Sequence, residues 1–160
     1  MAILPQERSF NYVASLWNYI EGRYTTTEKY FYGLNTLDTT KLDEWVQFSW
    51  DVGYRDFYRQ TDQGSEAYPG NLVHVNVVTN IYVKPSDVLL RITQIKDELI
   101  GLLRRAIVDV RDWAGSKNII SQLWGNGIVQ ELFLDTQDEI DQYQVTFDYS
   151  YVEQFERAHR

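Results

Sequence analysis

Residues 143–151 alternate without a break: Tyr143, Val145, Phe147, Tyr149 and Tyr151 are separated by Gln144, Thr146, Asp148 and Ser150. A period of two predicts a strand with an apolar ribbon on one face and a polar ribbon on the other. The first ribbon needs a cover, and the second needs water or a partner. Residues 45–54 repeat the pattern, with Val46, Phe48, Trp50, Val52 and Tyr54 on one face and Gln47, Ser49, Asp51, Gly53 and Arg55 on the other. Residues 72–83 carry Val73, Val75, Val77, Thr79, Ile81 and Val83 on one face. The polar stretch 60–71 holds Tyr68-Pro69-Gly70-Asn71, which predicts a type II turn and joins the two strands into an extended hairpin. Residues 128–134 predict one more strand. The segment 116–127 before it reads as a connection, because Gly125-Asn126-Gly127 tolerates positive φ.

Two segments follow the helical period instead. Phe10, Val13, Ala14, Trp17, Tyr19 and Ile20 recur at steps of three and four, with Ser9 placed to cap the helix and Gly22 to end it. Val88, Ile92, Ile95, Leu99, Leu102, Leu103 and Ala106 form a second stripe, which Pro85 and Ser86 or Asp87 introduce. The β-branched residues Ile107, Val108 and Val110 predict that this helix ends near Arg105 and that an extended segment follows. Residues 24–40 show no clean period and read as irregular, with a short strand at most around 29–32.

The element order predicts an α+β domain over residues 1–160: a largely antiparallel sheet with a long β-hairpin, and two main helices packed on one face. At 160 residues the chain is long enough for one core. An aromatic content of 15% excludes a disordered or low-complexity protein. With no cysteine there is no disulfide, thiolate zinc site or cysteine nucleophile, which fits a reducing compartment. The formal charge of −8 argues against a protein that coats nucleic acid, since that task needs a basic face. No signal peptide and no membrane-length apolar run is present, so a soluble protein made in the cytoplasm is expected.

The sequence offers little chemistry. His74 sits mid-strand beside Asn76, and His159 is next to the terminus. His74 with a carboxylate is what a small enzyme or ligand-binding domain would use. Gly125-Asn126-Gly127 lacks the third glycine of a dinucleotide fold and the lysine of a P-loop. Arg104-Arg105 stands where a helix C-terminus attracts cations in any case. Asp135, Asp138, Glu139 and Asp141 cluster without the spacing of an EF-hand loop, so they read as a solvated acidic turn and a candidate interface, with a cation site as the alternative. Residues 131–156 contain carboxylates and no lysine or arginine, which reads as ordinary solubility or as a negative surface that repels a DNA backbone. Arg55, Phe57, Tyr58 and Arg59 combine arginine with aromatics, which marks either a protein interface or simply the end of the hairpin. No catalytic residue, metal ligand or cofactor is assigned.

The order of helix, long hairpin, helix and closing strands resembles that of the tail-terminator proteins of long-tailed bacteriophages. The stretches 71–79 (NLVHVNVVT) and 143–149 (YQVTFDY) look like the family's strand before the main helix and its closing strand. The resemblance implies a virion protein of the tail and neck, made in the host cytoplasm. It implies a homohexameric ring that caps the tail tube and then presents a surface to the neck. The partners implied are further copies of the chain, the tail tube protein, a neck or head-completion protein, and the sheath where the tail is contractile. DNA would pass through the ring without specific binding. Another neck connector, a stopper or a head-tail adaptor, is the alternative within the same class.

Overall fold

The alternating closing run becomes β6 (Asp141–Gln154), and it lies at the centre of the molecule. This computed structural model describes residues 9–60, 68–84, 88–135 and 140–154, with side chains at all of these except 56–60, 68–70, 88, 135 and 153–154. The remaining elements in chain order are α1 (Ser9–Arg23), β1 (Glu28–Phe31), β2 (Glu44–Gln60), β3 (Tyr68–Val83), α2 (Val88–Leu103), β4 (Ile107–Arg111) and β5 (Ile119–Asp135). They build a six-stranded sheet in the order β1-β2-β3-β6-β5-β4. Every pairing is antiparallel except β1 with β2. This is the α+β architecture that the periodicities predict. The hairpin β2–β3 is paired from Glu44↔Val83 to Gln60↔Tyr68.

Both helices cover one face. Val145, Phe147, Tyr149 and Tyr151 of β6 and Val73, Val75, Val77 and Ile81 of β3 are buried beneath them. The α2 stripe is as expected, with Ile92, Ile95, Leu99 and Leu103 buried. Each such side chain contributes about 1.5–3 kcal/mol when removed from water. The α1 stripe is rotated from the expected one. Tyr12, Leu16 and Ile20 are buried, whereas Phe10 is 56% exposed. Tyr12 stacks on Tyr151 with centroids 3.8 Å apart, so tyrosine at the fourth helical position takes the seat that periodicity assigned to Phe10.

The rotation also buries Asn11 and Ser15, two polar side chains that serve the β4–β5 connection. Ser15 Oγ accepts from the Arg111 backbone N–H at 3.0 Å and from the Trp113 indole N–H at 2.9 Å. Asn11 Oδ1 accepts from the Trp113 backbone N–H at 2.9 Å. The first helix is thereby bolted to the end of β4 and to the loop that follows it.

Two expectations are corrected. Residues 68–71 are not a turn but the start of β3, where Pro69 pairs with Arg59 and lies beyond the first pair with β6, Gly70↔Gln154. A proline is tolerated there because one side of the strand has no ladder partner among the described residues. Residues 119–127 are not a connection but the first half of β5, whose register shifts between Gly125/Gly127 and Ile128/Gln130. Gly127 takes φ of 122°, so the glycines form a bulge inside a strand instead of ending one. The short strand allowed around 29–32 within the irregular stretch is present, as the parallel edge strand β1.

A further bulge changes the phase of β2. The register moves between Val52 and Tyr54, pairing Val52 with Val75 but Tyr54 with His74. Gly53 is the extra residue. Val52 therefore shares the helix-bearing face and Tyr54 the opposite one, contrary to the unbroken alternation expected over residues 45–54.

Candidate functional site

The face of the sheet opposite the helices carries no covering element among the described residues. Its centre is a set of amides that hold one another across three strands. Asn80 donates to Gln47 Oε1 at 3.3 Å, and its own Oδ1 accepts from Gln142 and Gln144, each at 2.9 Å. One strand pair further along, Asn126 donates to Asp148 Oδ2 at 3.0 Å and to Ser150 Oγ at 2.9 Å. His74 Nδ1 lies 3.6 Å from Asp148 Oδ1, and its ring stacks on Tyr54 at 4.3 Å. The described side chains of β2, β3, β5 and β6 on this face include Asp51 and Asp148 and no lysine or arginine.

His74 and Asp148 are the arrangement a general base would need, so the structure tests that expectation directly. Around the pair stand the Tyr54 ring, the Asn126 amide and Ser150, which is the cross-strand partner of His74 and whose Oγ accepts from Asn126. Among the described residues no group of three or more His, Asp or Glu is placed to hold a metal ion. An open cavity of about 480 Å³ on the same side is lined by Arg105, Ile107, Gln122, Trp124, Gly125 and Asn126, the last of which also bonds Asp148.

The sheet leaves two long edges open among the described residues. β1 covers β2 only as far as Phe48, whose carbonyl also accepts from the Tyr32 N–H at 2.8 Å. The β1 ladder does not extend to residues 49–60 of β2, and no other described strand lies on that side. On the other side β4 covers β5 only through Trp124, and Gly125 N–H donates to Ala106 O at 2.7 Å. Residues 126–135 of β5 are likewise open. Exposed apolar side chains mark both stretches: Val52 and Tyr54 on β2, and Ile128, Val129, Leu132 and Phe133 on β5. Such edges invite pairing with another chain.

The residues singled out in the sequence fall on these edges. Arg55 is an exposed residue of the open part of β2. Phe57, Tyr58 and Arg59 follow in the same strand, with backbones paired to Asn71, Gly70 and Pro69. Asp135 ends β5 and is paired with Asp141 at the start of β6. Asp138 and Glu139 lie outside the described residues. The basic and acidic groups stand at opposite ends of the sheet within one chain, so no single site unites them. The amide set around Asn80 was not singled out, although alternating Gln and Asn on the polar face of three strands is visible in the sequence.

Charge pairing and burial on the covered face are structural in character. Glu131 accepts from the Tyr143 hydroxyl at 2.8 Å, and Lys96 lies 3.8 Å from the same carboxylate. Burial, then the bond to Glu131, pushes the Tyr143 hydroxyl up to about 12. Arg91 grips Glu44 with two bonds of 2.7 and 2.6 Å, tying α2 to the start of β2.

No protein-family model and no curated protein matches the sequence. Among solved structures, a chain in the virion of a native gene transfer agent particle is similar, with a TM-score of 0.47 and 10% identity over 88% of this chain and 92% of that one. Among the described residues no helix is long and apolar enough to cross a membrane.

Proposed function

We propose that this chain is a structural virion protein, a tail terminator that closes into a homohexameric ring, caps the tail tube and joins it to the neck. The observation that carries this reading is the uncovered sheet face, rich in amides, with Asp51 and Asp148 and without lysine or arginine among the described side chains of the four long strands. A wall of that composition lets a polyanion slide past, because it offers no phosphate neutralisation and repels at short range. Its amides are already bonded to one another, which leaves fewer groups to grip a backbone. The open edges supply the means of assembly, and the role is non-catalytic. The tube protein and a neck protein bind the two rims of the ring, with the sheath beside it where the tail is contractile.

Electron microscopy of the purified protein mixed with tubes of the tail protein encoded near it tests this reading. Rings seated at one end of each tube support it. A protein that stays monomeric with tubes present and never sits at a tube end contradicts it. Seating at the head-proximal vertex instead would assign the chain to a stopper or adaptor.

A further inference from the structure

We infer that neighbouring copies join edge to edge, the open stretch of β2 in one copy pairing antiparallel with the open stretch of β5 in the next. The inference deepens the ring reading and rests on it for closure, but the two fail separately in the experiment below. Its starting point is that each edge is open at a different end. β1 blocks β2 up to the level of Phe48, and β4 blocks β5 down to the level of Trp124. Carried across β3 and β6, the residues 127–135 of β5 lie level with 44–51 of β2. The open stretches therefore meet only if the neighbour slides along the strand direction.

The pleat restricts that slide to an even number of residues, because facing residues must share a face. Four residues leave the end of β5 against the part of β2 that β1 already holds. Six clear it. At about 3.4 Å per residue the slide is about 20 Å, and the four strands from β2 to β5 span about 19 Å, giving a tilt near 45°, at the edge of the range of closed barrels. Three antiparallel steps separate β2 from β5, so the junction is antiparallel with every copy in the same orientation.

The handedness agrees as well. Phe48 faces the helices, and its carbonyl points to the β1 side. For an L-residue in an upward strand whose side chain faces the viewer, N–H and C=O point right. Seen from the helices with β2 upward, β2 thus lies on the right and β5 on the left. Strands of a closed sheet rise to the right when seen from outside, which lifts the right-hand neighbour. That is the direction the open stretches require only if the helices are outside and the amide face lines the interior.

The six-residue slide, counted through the bulge at Gly53, sets Phe133 opposite Val52, Leu132 opposite Tyr54 and Glu131 opposite Arg55. The first two pairs match side chains left 47% and 44% exposed, and 39% and 56% exposed, in the single chain. The third sets opposite charges on the helix-bearing face. Cross-strand pairs of both kinds stabilise a sheet. A head-to-tail contact of this type is what closes a ring.

The chain has no cysteine, which makes a crosslinking test direct. Val52→Cys and Phe133→Cys chains are prepared separately, checked for native melting behaviour, mixed, and treated with a mild oxidant. Facing Cα atoms stand about 4.5–5.5 Å apart, within disulfide range. The mixture should give a crosslinked dimer, neither variant alone should give one, and a chain with both substitutions should give a ladder ending in a closed species. Val52→Cys mixed with Ile128→Cys should not crosslink. If native mass spectrometry shows wild-type oligomers but the Val52/Phe133 mixture stays uncrosslinked, or either variant crosslinks with itself, edge pairing is overturned and the ring reading survives. If wild-type protein forms no oligomer alone or on tubes, the ring reading falls, and edge pairing falls with it.

Discussion

The Tyr149 hydroxyl, buried at the centre of β6, donates a hydrogen bond to the carbonyl oxygen of Leu103, the last residue of α2. Helix ends leave carbonyls without intrahelical partners, and this one is met by the sheet beneath it. Tyr149→Phe removes the donor and keeps the ring. It should lower stability by about 1–3 kcal/mol, read from urea denaturation. A change within error would mean that the Leu103 carbonyl finds another donor.

Ser15 is the corresponding joint for α1. Ser15→Ala leaves the Arg111 N–H and the Trp113 indole N–H without their acceptor. A loss of about 2–4 kcal/mol is expected, with tryptophan fluorescence shifting to the red as the Trp113 region loosens. The surface variant Asn18→Ala, one helical turn on and exposed, should change little.

Gly125 is where the end of α2 closes on β5. A Cβ there would stand 2.9 Å from the Leu103 carbonyl oxygen and 3.1 Å from that of Arg104, both backbone atoms. Gly125→Ala should cost about 1–3 kcal/mol, because neither atom can move without moving the helix end. The thermal midpoint reports it.

Alkaline pH should unfold the protein through its buried tyrosines. Burial pushes Tyr24 up from 10.0 to about 12, and burial also raises Tyr149 and Tyr82. A raised phenol pKa means that the folded state resists losing the proton. Its contribution to stability is full below pH 10, the unfolded value, and is lost as pH rises towards 12. Stability should be level near pH 9 and fall steeply above about 10. Absorbance at 295 nm should show a late group of tyrosines ionising together with the loss of near-ultraviolet circular dichroism. Smooth titration of all tyrosines near pH 10 in a folded protein would contradict this.

The uncovered face sets a prediction of its own. Asp51→Lys with Asp148→Lys reverses the charge on that face, and because Asp148 also accepts from Asn126 the variant is first checked for native melting. The assembled variant should gain binding to duplex DNA that weakens with salt, while the wild type at about 0.15 M salt shows none by gel shift. Equal behaviour of the two would mean that the face does not meet DNA.

Much of this fold was legible because burial imposes its period. Residues 143–151 and 72–83 alternate in the sequence because helices cover one side of both strands. The hidden parts were those where local chemistry and tertiary context disagree. Pro69-Gly70 is good turn chemistry, yet it lies in a hairpin arm at the limit of the β6 ladder, whose first pair is Gly70↔Gln154. Gly125-Asn126-Gly127 looks like a break, yet β6 on one side and the Gly125 N–H bond to Ala106 O on the other hold it as a bulge. Gly53 shifts the phase of β2, and no alternation rule foresees an inserted residue. Of the candidate site only the residue types were legible, Arg55 among aromatics and the acidic stretch 131–156, and their roles at an interface or beside DNA belong to the proposal. Which edge meets which depends on where β1 and β4 stop, and these short strands leave almost no pattern.

The most direct test of the central claim is an electron-microscopic reconstruction of the protein seated on its tail tube. The account predicts a ring of identical copies with α1 and α2 on the outer wall and Asn80, Gln144 and Asp148 facing the lumen. A ring whose helices face the lumen, or tubes that end bare in the presence of the protein, would contradict it.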